Sequence, residues 1–202
     1  MLTSPSIGTR MTFANDLRPS SRSLAHAVLV LVLLCAITAA RAEGHVRSVD
    51  VKRAGDGYAV EAVMFAPVAP EQAFEVLTDF DHMDRFVPNV KSSRVVARDG
   101  QKLTIEQQGV AHFGALSIPY TSQRQFELQS RSVIHSRQVS GNMKKIETQM
   151  KLSSEGSGTR LDYRLEIVPS LIASSVLSED FLRHEVDEQF NAIIGEMVRR
   201  KQ

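Results

Sequence analysis

The chain has 202 residues, with 24 Lys+Arg set against 23 Asp+Glu for a formal net charge of +1. That balance excludes bulk nucleic-acid binding, which needs a strong basic footprint. A single cysteine excludes a disulfide framework.

The first 42 residues read as a secretory leader. Ala27 to Ala40 (AVLVLVLLCAITAA) is an uncharged apolar run preceded by Arg10, Arg18 and Arg22, and it ends in Ala40-Arg41-Ala42. A basic region, an apolar region and a small-x-small end are the three parts of a signal peptide, with cleavage expected between Ala42 and Glu43. The alternative, a membrane anchor, is poorly served by 14 apolar residues, because about 30 Å of hydrocarbon needs about 20. Met11 would start a shorter and more typical leader than Met1. Cys35 follows Leu34 rather than the small residue a lipoprotein requires, so the mature chain is expected to be without cysteine. Export without disulfides points to a periplasmic or secreted protein. Without the leader's four arginines and one aspartate, residues 43–202 carry 20 basic and 22 acidic groups, a net charge of about −2. Their 160 residues suit one domain.

His45 to Arg53 reads as a strand, Gly55-Asp56-Gly57 as a turn and Tyr58 to Ala66 as its hairpin partner. Pro67 and Pro70 end the pattern. Glu71 to Thr78 is expected to form a short helix, with Pro70 in its first turn and Ala73, Phe74 and Leu77 inward. Asp79 to Phe86 reads as a second short helix or turn, closed by Pro88.

From Pro88 the chain is almost continuous strand, with turns signalled at Asp99-Gly100, Gly114, Gln129 to Arg131, Gly141-Asn142 and Glu155 to Gly158. Registers set from those turns pair Val96 with Leu103, Ile105 with Arg124, Phe126 with His135, Ile146 with Arg137 and Met150 with Tyr163. They put Leu103, Ile105, Phe126, Val133, Val139, Ile146, Met150, Leu161 and Leu165 on one oily face. Lys102, Glu106, Gln123, Gln138, Glu147 and Arg164 fall on a wet one. That is the pattern of an antiparallel sheet covered on a single side.

The cover is the C-terminal stretch. Phe181, Leu182, Val186, Phe190, Ile193, Ile194, Met197 and Val198 recur every three or four residues, as one face of a helix does. Ser178 reads as its N-cap, Glu179 and Asp180 as an acidic first turn, and Arg199, Arg200 and Lys201 as a basic last turn.

The segment Phe65-Ala-Pro-Val-Ala-Pro-Glu-Gln-Ala-Phe-Glu-Val-Leu-Thr-Asp-Phe80, followed by Asp81 to Pro88 (DHMDRFVP), resembles the entry of the START-like helix-grip superfamily. That superfamily includes the polyketide cyclase, lipid-transfer and coenzyme Q-binding group. The resemblance runs from about residue 46 to 200. It implies an α+β helix-grip fold, in which a curved antiparallel sheet of about seven strands wraps around the long C-terminal helix. Two short helices follow the first strand or hairpin. It specifies the fold strongly and the chemistry weakly, since the superfamily has no invariant catalytic motif.

Several polar residues fall on the expected inward face: Arg94, Gln107, Tyr120, Ser122, Arg124, His135, Arg137, Thr148 and Tyr163. The registers place Arg94, Arg124 and Arg137 in one row, with Arg124 directly opposite Arg137. Like charges so placed are destabilising, and a buried unpaired charge costs several kcal/mol. One resolution is an acid on the helix, such as Glu185 or Glu188, or escape of the side chains to water at a cavity mouth. The other is a ligand: the arginines hold the anionic or carbonyl-bearing head of an amphipathic molecule whose tail lies against Phe126, Met150 and Phe190. His135 is the inward candidate for acid–base work, with a satisfied cavity-wall histidine as the alternative. His82, His112, His135 and His184 lack metal-binding spacing, and Ser122 lacks a paired acid for a catalytic triad. No metal or cofactor is expected.

The expected function is therefore binding or carriage of a hydrophobic small molecule (lipid, isoprenoid quinone or polyketide-like) between sheet and helix. A transient membrane contact is compatible with that role. An aromatase/cyclase-type enzyme and a protein-interaction module are the alternatives. The sequence leaves ligand and oligomeric state open.

Overall fold

The computed structural model describes residues 43–171 and 173–201, and the expected leader lies outside them. Eight antiparallel strands form one sheet: β1 (His45–Ala54), β2 (Gly57–Ala66), β3 (Val90–Asp99), β4 (Lys102–Phe113), β5 (Leu116–Ser130), β6 (Val133–Gly141), β7 (Lys145–Glu155) and β8 (Gly158–Val168). Their order is β1-β2-β8-β7-β6-β5-β4-β3. Six consecutive strands thus run as a meander and close back on the opening hairpin. The count is eight rather than about seven because that hairpin joins the same sheet through β2 and β8.

Between β2 and β3 the chain forms helix α1 (Pro70–Leu77) and a 3₁₀ turn over Phe80–Arg85. Proline stands in the first turn of α1, where its missing N–H is no loss. Ala73, Val76 and Leu77 are its buried residues, and Phe74 is only partly so. The C-terminal helix α2 spans Glu179–Lys201. Ser178 caps it as expected, its Oγ accepting from the N–H of Phe181 at 3.1 Å. Seven of the eight expected apolar positions are buried, with Val198 half-buried, and Glu196 is buried among them.

The helix is tied to the frame at both ends. Tyr58 donates from its hydroxyl to the carbonyl of Leu177 at 3.0 Å, just before α2 begins. At the far end Gln72 Nε2 donates to the Met197 carbonyl at 3.1 Å, and Arg200 pairs with Asp79 at 2.7 Å. The core lies between the helix and the sheet's inner face. Met64, Ile105, Leu161, Ile194 and Met197 are each under 2 % exposed there.

Two of the five expected registers hold: Ile105 faces Arg124 and Met150 faces Tyr163. The other three are shifted. Between β3 and β4 the tight turn pairs Asp99 with Lys102 and hence Leu103 with Arg98, and a bulge at Val95/Ala97 then pairs Val95 with Ile105 and turns Val96 outward, 40 % exposed. Between β5 and β6 it breaks at Leu128/Ser130, and Phe126 meets Ser136 instead of His135. An extra residue in one strand of a hairpin moves everything beyond it onto the other face. In β6, therefore, Ile134 and Ser136 are buried while Val139 is 58 % exposed. Across β6 and β7, whose paired register is continuous, Arg137 pairs with Glu147, one residue from the expected Ile146.

Candidate functional site

A cavity of about 170 Å³ lies between the first half of α2 and strands β4, β5, β7 and β8. Its apolar wall includes Ile118, Ile146, Leu165, Ile167, Leu177, Phe181 and Leu182. Exposed Thr121 and Asn142 line it too and mark its mouth. They are locked together, the Asn142 N–H donating to the Thr121 carbonyl at 3.2 Å and the Thr121 N–H to Asn142 Oδ1 at 3.3 Å. Other surface grooves lie outside the sheet–helix interior. One of about 400 Å³, for example, runs beside Glu71, Glu75 and Arg200.

Strand β5 supplies the polar row. Tyr120, Ser122 and Arg124 alternate along it and all three line the cavity, as period-two alternation requires. Opposite Ser122 on β4 stands Gln107, only 5 % exposed. Its Oε1 accepts from Arg124 Nη2 at 2.9 Å, and its Nε2 donates to Ser93 Oγ at 3.1 Å. The Arg124 guanidinium also lies 4.9 Å from the centre of the Phe126 ring. Among the described residues it has no carboxylate partner. Burial lowers its pKa, while Tyr163 and Tyr120 act in the opposite sense.

The two tyrosines are locked in their protonated forms. Burial pushes Tyr120 up to about 12, with Arg124 opposing and Glu185 reinforcing the rise. Burial does the same to Tyr163, again against Arg124 and again to about 12. Tyr163 packs edge-on against Phe190 with ring centres 4.8 Å apart. Tyr120 can lie across β4 because Gly109 is its cross-strand partner. A Cβ there would fall 2.6 Å from the tyrosine's Cζ and Oη.

Glu185 of α2 closes the opposite wall. Its Oε2 accepts from Asn89 Nδ2 at 2.6 Å, whereas Oε1 is buried without a hydrogen bond. Burial raises its pKa, with Asn89 opposing, Glu188 adding to the rise, and His184 and the backbone of His112 opposing. Asn89 Oδ1 and Ser122 Oγ are likewise buried and unpartnered. Three unpaired polar atoms around one void are a departure from native interiors, where buried polar groups are nearly all bonded.

Of the expected site residues, Gln107, Tyr120, Ser122, Arg124 and Tyr163 come together on the cavity wall. Phe126, Met150 and Phe190 are buried in the surrounding core rather than on that wall. Thr148, also expected inward, bonds Ser136 at 2.7 Å. Arg94, His135 and Arg137 are on the other side of the sheet. Arg94 pairs with Glu106 at 2.8 Å, His135 meets Gln149 at 3.2 Å, and Arg137 donates to Gln125 at 2.8 Å. The three-arginine row therefore does not form, and Arg124 faces Gln138 rather than Arg137. Asn89 escaped the sequence reading because it sits in the connection before β3, where no strand pattern aims its side chain. Glu185 was expected only as a possible counter-ion; its contact is Asn89. The donor atoms of His184, Glu185 and Glu188 gather within 4.8 Å of one another. However, His184 and Glu188 are 48 % and 42 % exposed in their side chains, solvated groups of the helix surface, and Glu185, on the cavity wall, is engaged by Asn89.

No curated protein sequence matches the chain significantly. Its architecture is shared by solved structures of low identity. A START superfamily protein from Mycobacterium smegmatis has 13 % identity and a TM-score of 0.61, over 70 % of this chain and 97 % of that one. A STAR-related lipid transfer protein from Xanthomonas axonopodis has 11 % identity and a TM-score of 0.58, over 76 % and 98 %. An aromatase/cyclase from Streptomyces sp. R1128 has 17 % identity and a TM-score of 0.54, over 71 % and 95 %. These likenesses identify the fold as the START helix-grip. The family model for polyketide cyclase/dehydrase and lipid transport matches residues 66–193. The chain belongs to that family.

Proposed function

We propose that the protein binds and carries a hydrophobic small molecule between its sheet and C-terminal helix, in the periplasm or outside the cell. The observation that carries this reading is the mainly apolar void with unpartnered Asn89 Oδ1, Ser122 Oγ and Glu185 Oε1 on its wall. A packed core would have closed it or paired those atoms. Burial of the guest's apolar surface supplies affinity at about 25 cal/mol per Å², and Arg124, Ser122 and Tyr120 set its orientation. A guest with a long lipid or isoprenoid tail would have to extend past Thr121 and Asn142. The export half of the proposal rests on the Ala27–Ala42 pattern. Among the described residues no helix is long and apolar enough to cross a membrane.

Native mass spectrometry of protein purified from a bacterial periplasm tests both halves. The expected species starts at Glu43 and carries a bound small molecule. A chain that stays in the cytoplasm refutes export, and a consistently empty protein refutes carriage.

Glu185 favours a second reading. It is the acid on the cavity wall, raised by burial and with one free oxygen, as a general base for a cyclase-type proton transfer would be. Carriage is preferred because His135, the base expected from sequence, is on the outer side of the sheet and both tyrosines hold their protons. Turnover of a poly-ketone substrate that is lost in Glu185→Gln would reverse that preference.

A further inference from the structure

The cavity is small, its one cation and one carboxylate are not paired with each other, and the cation is held in place before any guest arrives. These three facts narrow the ligand. We propose that the guest is a small monocarboxylic acid of about one ring in size, its carboxylate held by Arg124 and Ser122. This rests on the reading that the cavity is a binding site.

Size comes first. Pockets for drug-sized ligands run to roughly 300–1,000 Å³, whereas a cavity of about 150 Å³ takes a benzene ring. At about 170 Å³ this one matches a single ring with a small substituent, not a fatty acyl chain.

Charge comes second. The guanidinium of Arg124 is fixed by Gln107 on one edge and by the Phe126 ring on its face, and Gln107 is itself fixed by Ser93. Its remaining N–H donors have no acceptor among the described residues. Ser122, two residues away on the same face of β5, presents an unpartnered hydroxyl. A planar carboxylate accepts from a guanidinium and a hydroxyl together. A phosphate monoester, with close to two negative charges, would exceed the single cation and would do so in a cavity that already holds Glu185.

The third element is the wall. Tyr163, Leu165 and Phe181 flank the void with rings and branched aliphatic groups, so the body of the guest is apolar and stays desolvated.

Calorimetric titration of the purified protein with benzoate, benzyl alcohol and hexadecanoate is the test. Benzyl alcohol is close to benzoate in size but neutral. The expected result is benzoate binding at least about tenfold tighter than benzyl alcohol, as a charge-assisted contact requires, with no saturable binding of hexadecanoate. Arg124→Met should erase the preference for benzoate while leaving the benzyl alcohol affinity within about threefold. Ser122→Ala, which removes a hydroxyl with no partner, should fold normally and weaken benzoate alone. Equal binding of benzoate and benzyl alcohol, or tighter binding of hexadecanoate, overturns the carboxylate assignment but leaves the cavity a binding site. Absence of binding by every probe, benzyl alcohol included, overturns both.

Discussion

Gln107 and Arg124 face each other across β4 and β5, offset by two residues, and are joined by a 2.9 Å bond from the guanidinium to the amide oxygen. The amide has no freedom left, because its nitrogen donates to Ser93 Oγ at 3.1 Å and contacts Met83 Sδ at 3.3 Å. Gln107→Leu is therefore expected to unpair both Arg124 and Ser93 at a cost of about 1–3 kcal/mol. For a domain of this size that lowers Tm by roughly 2–4 °C per kcal/mol. Thermal and urea unfolding measure it, and an unchanged Tm would mean that the guanidinium is held by something other than this amide.

The close approach at Gly109 gives a second expectation. A methyl group there would meet the Asn89 carbonyl oxygen and lie 2.6 Å from Tyr120. That carbonyl already accepts from the Val110 N–H at 2.9 Å, so the backbone cannot retreat and the tyrosine must move. Gly109→Ala should cost about 1–3 kcal/mol as an overpacking substitution and shift the ring resonances of Tyr120 in an NMR spectrum. Wild-type stability with an unmoved Tyr120 would contradict this packing.

Long-range order was legible in the sequence wherever alternation ran without interruption. β4 against β5 at Ile105–Arg124 and β7 against β8 at Met150–Tyr163 were placed residue for residue. So was the N-cap at Ser178. A bulge leaves no such trace. The extra residue in β5 near Gln129 looks like turn sequence, and Val133 and Ile134 are equally good candidates for burial. Ile134 is the one inside, and with it His135 and Arg137 pass to the outer face. The polar row of Tyr120, Ser122 and Arg124 was readable because it lies on a single strand. Asn89 and Glu185 complete the site from a connection and from the helix, where no periodicity relates them to β5.

Glu185 makes stability depend on pH in a stated direction. Its pKa in the folded protein is raised, chiefly by burial, so the native state holds this proton more tightly than the unfolded chain does. That contribution is fully present below the unfolded value of about 4.3 and is lost as pH rises through the folded value. Glu185→Gln keeps an acceptor for Asn89 and removes the charge. It should raise Tm near pH 7 by a few degrees, corresponding to about 1 kcal/mol for relief of a buried, half-paired carboxylate. The gain should vanish below about pH 4. A Tm difference that is the same at both pH values would show that the carboxylate is not strained by burial.

The opposite sign applies at the other end of α2. Hydrogen bonds from Arg199 and Arg200 hold Glu196 at about 2, against its burial. Asp79 is also lowered: burial opposes the shift, but the bonds from Arg200 and His82 outweigh it. Arg200 spans the two acids, at 2.7 Å from each, and lies 5.5 Å from the centre of the Phe86 ring. It thereby fastens the last turn of α2 to the segment between α1 and β3. Depressed carboxylates contribute stability above their unfolded pKa values and lose it as pH falls through the folded ones. The Glu196 side chain is only 7 % exposed, but its partner Arg199 is 71 % exposed, so solvent screens the pair and its contribution falls well short of the full shift. Arg200→Met should remove about 1–2 kcal/mol near pH 7 and little near pH 2, where both acids are becoming protonated. Urea unfolding at the two pH values reads the difference, and an equal loss at both would assign the role of Arg200 to its packing on Phe86 instead of its charge.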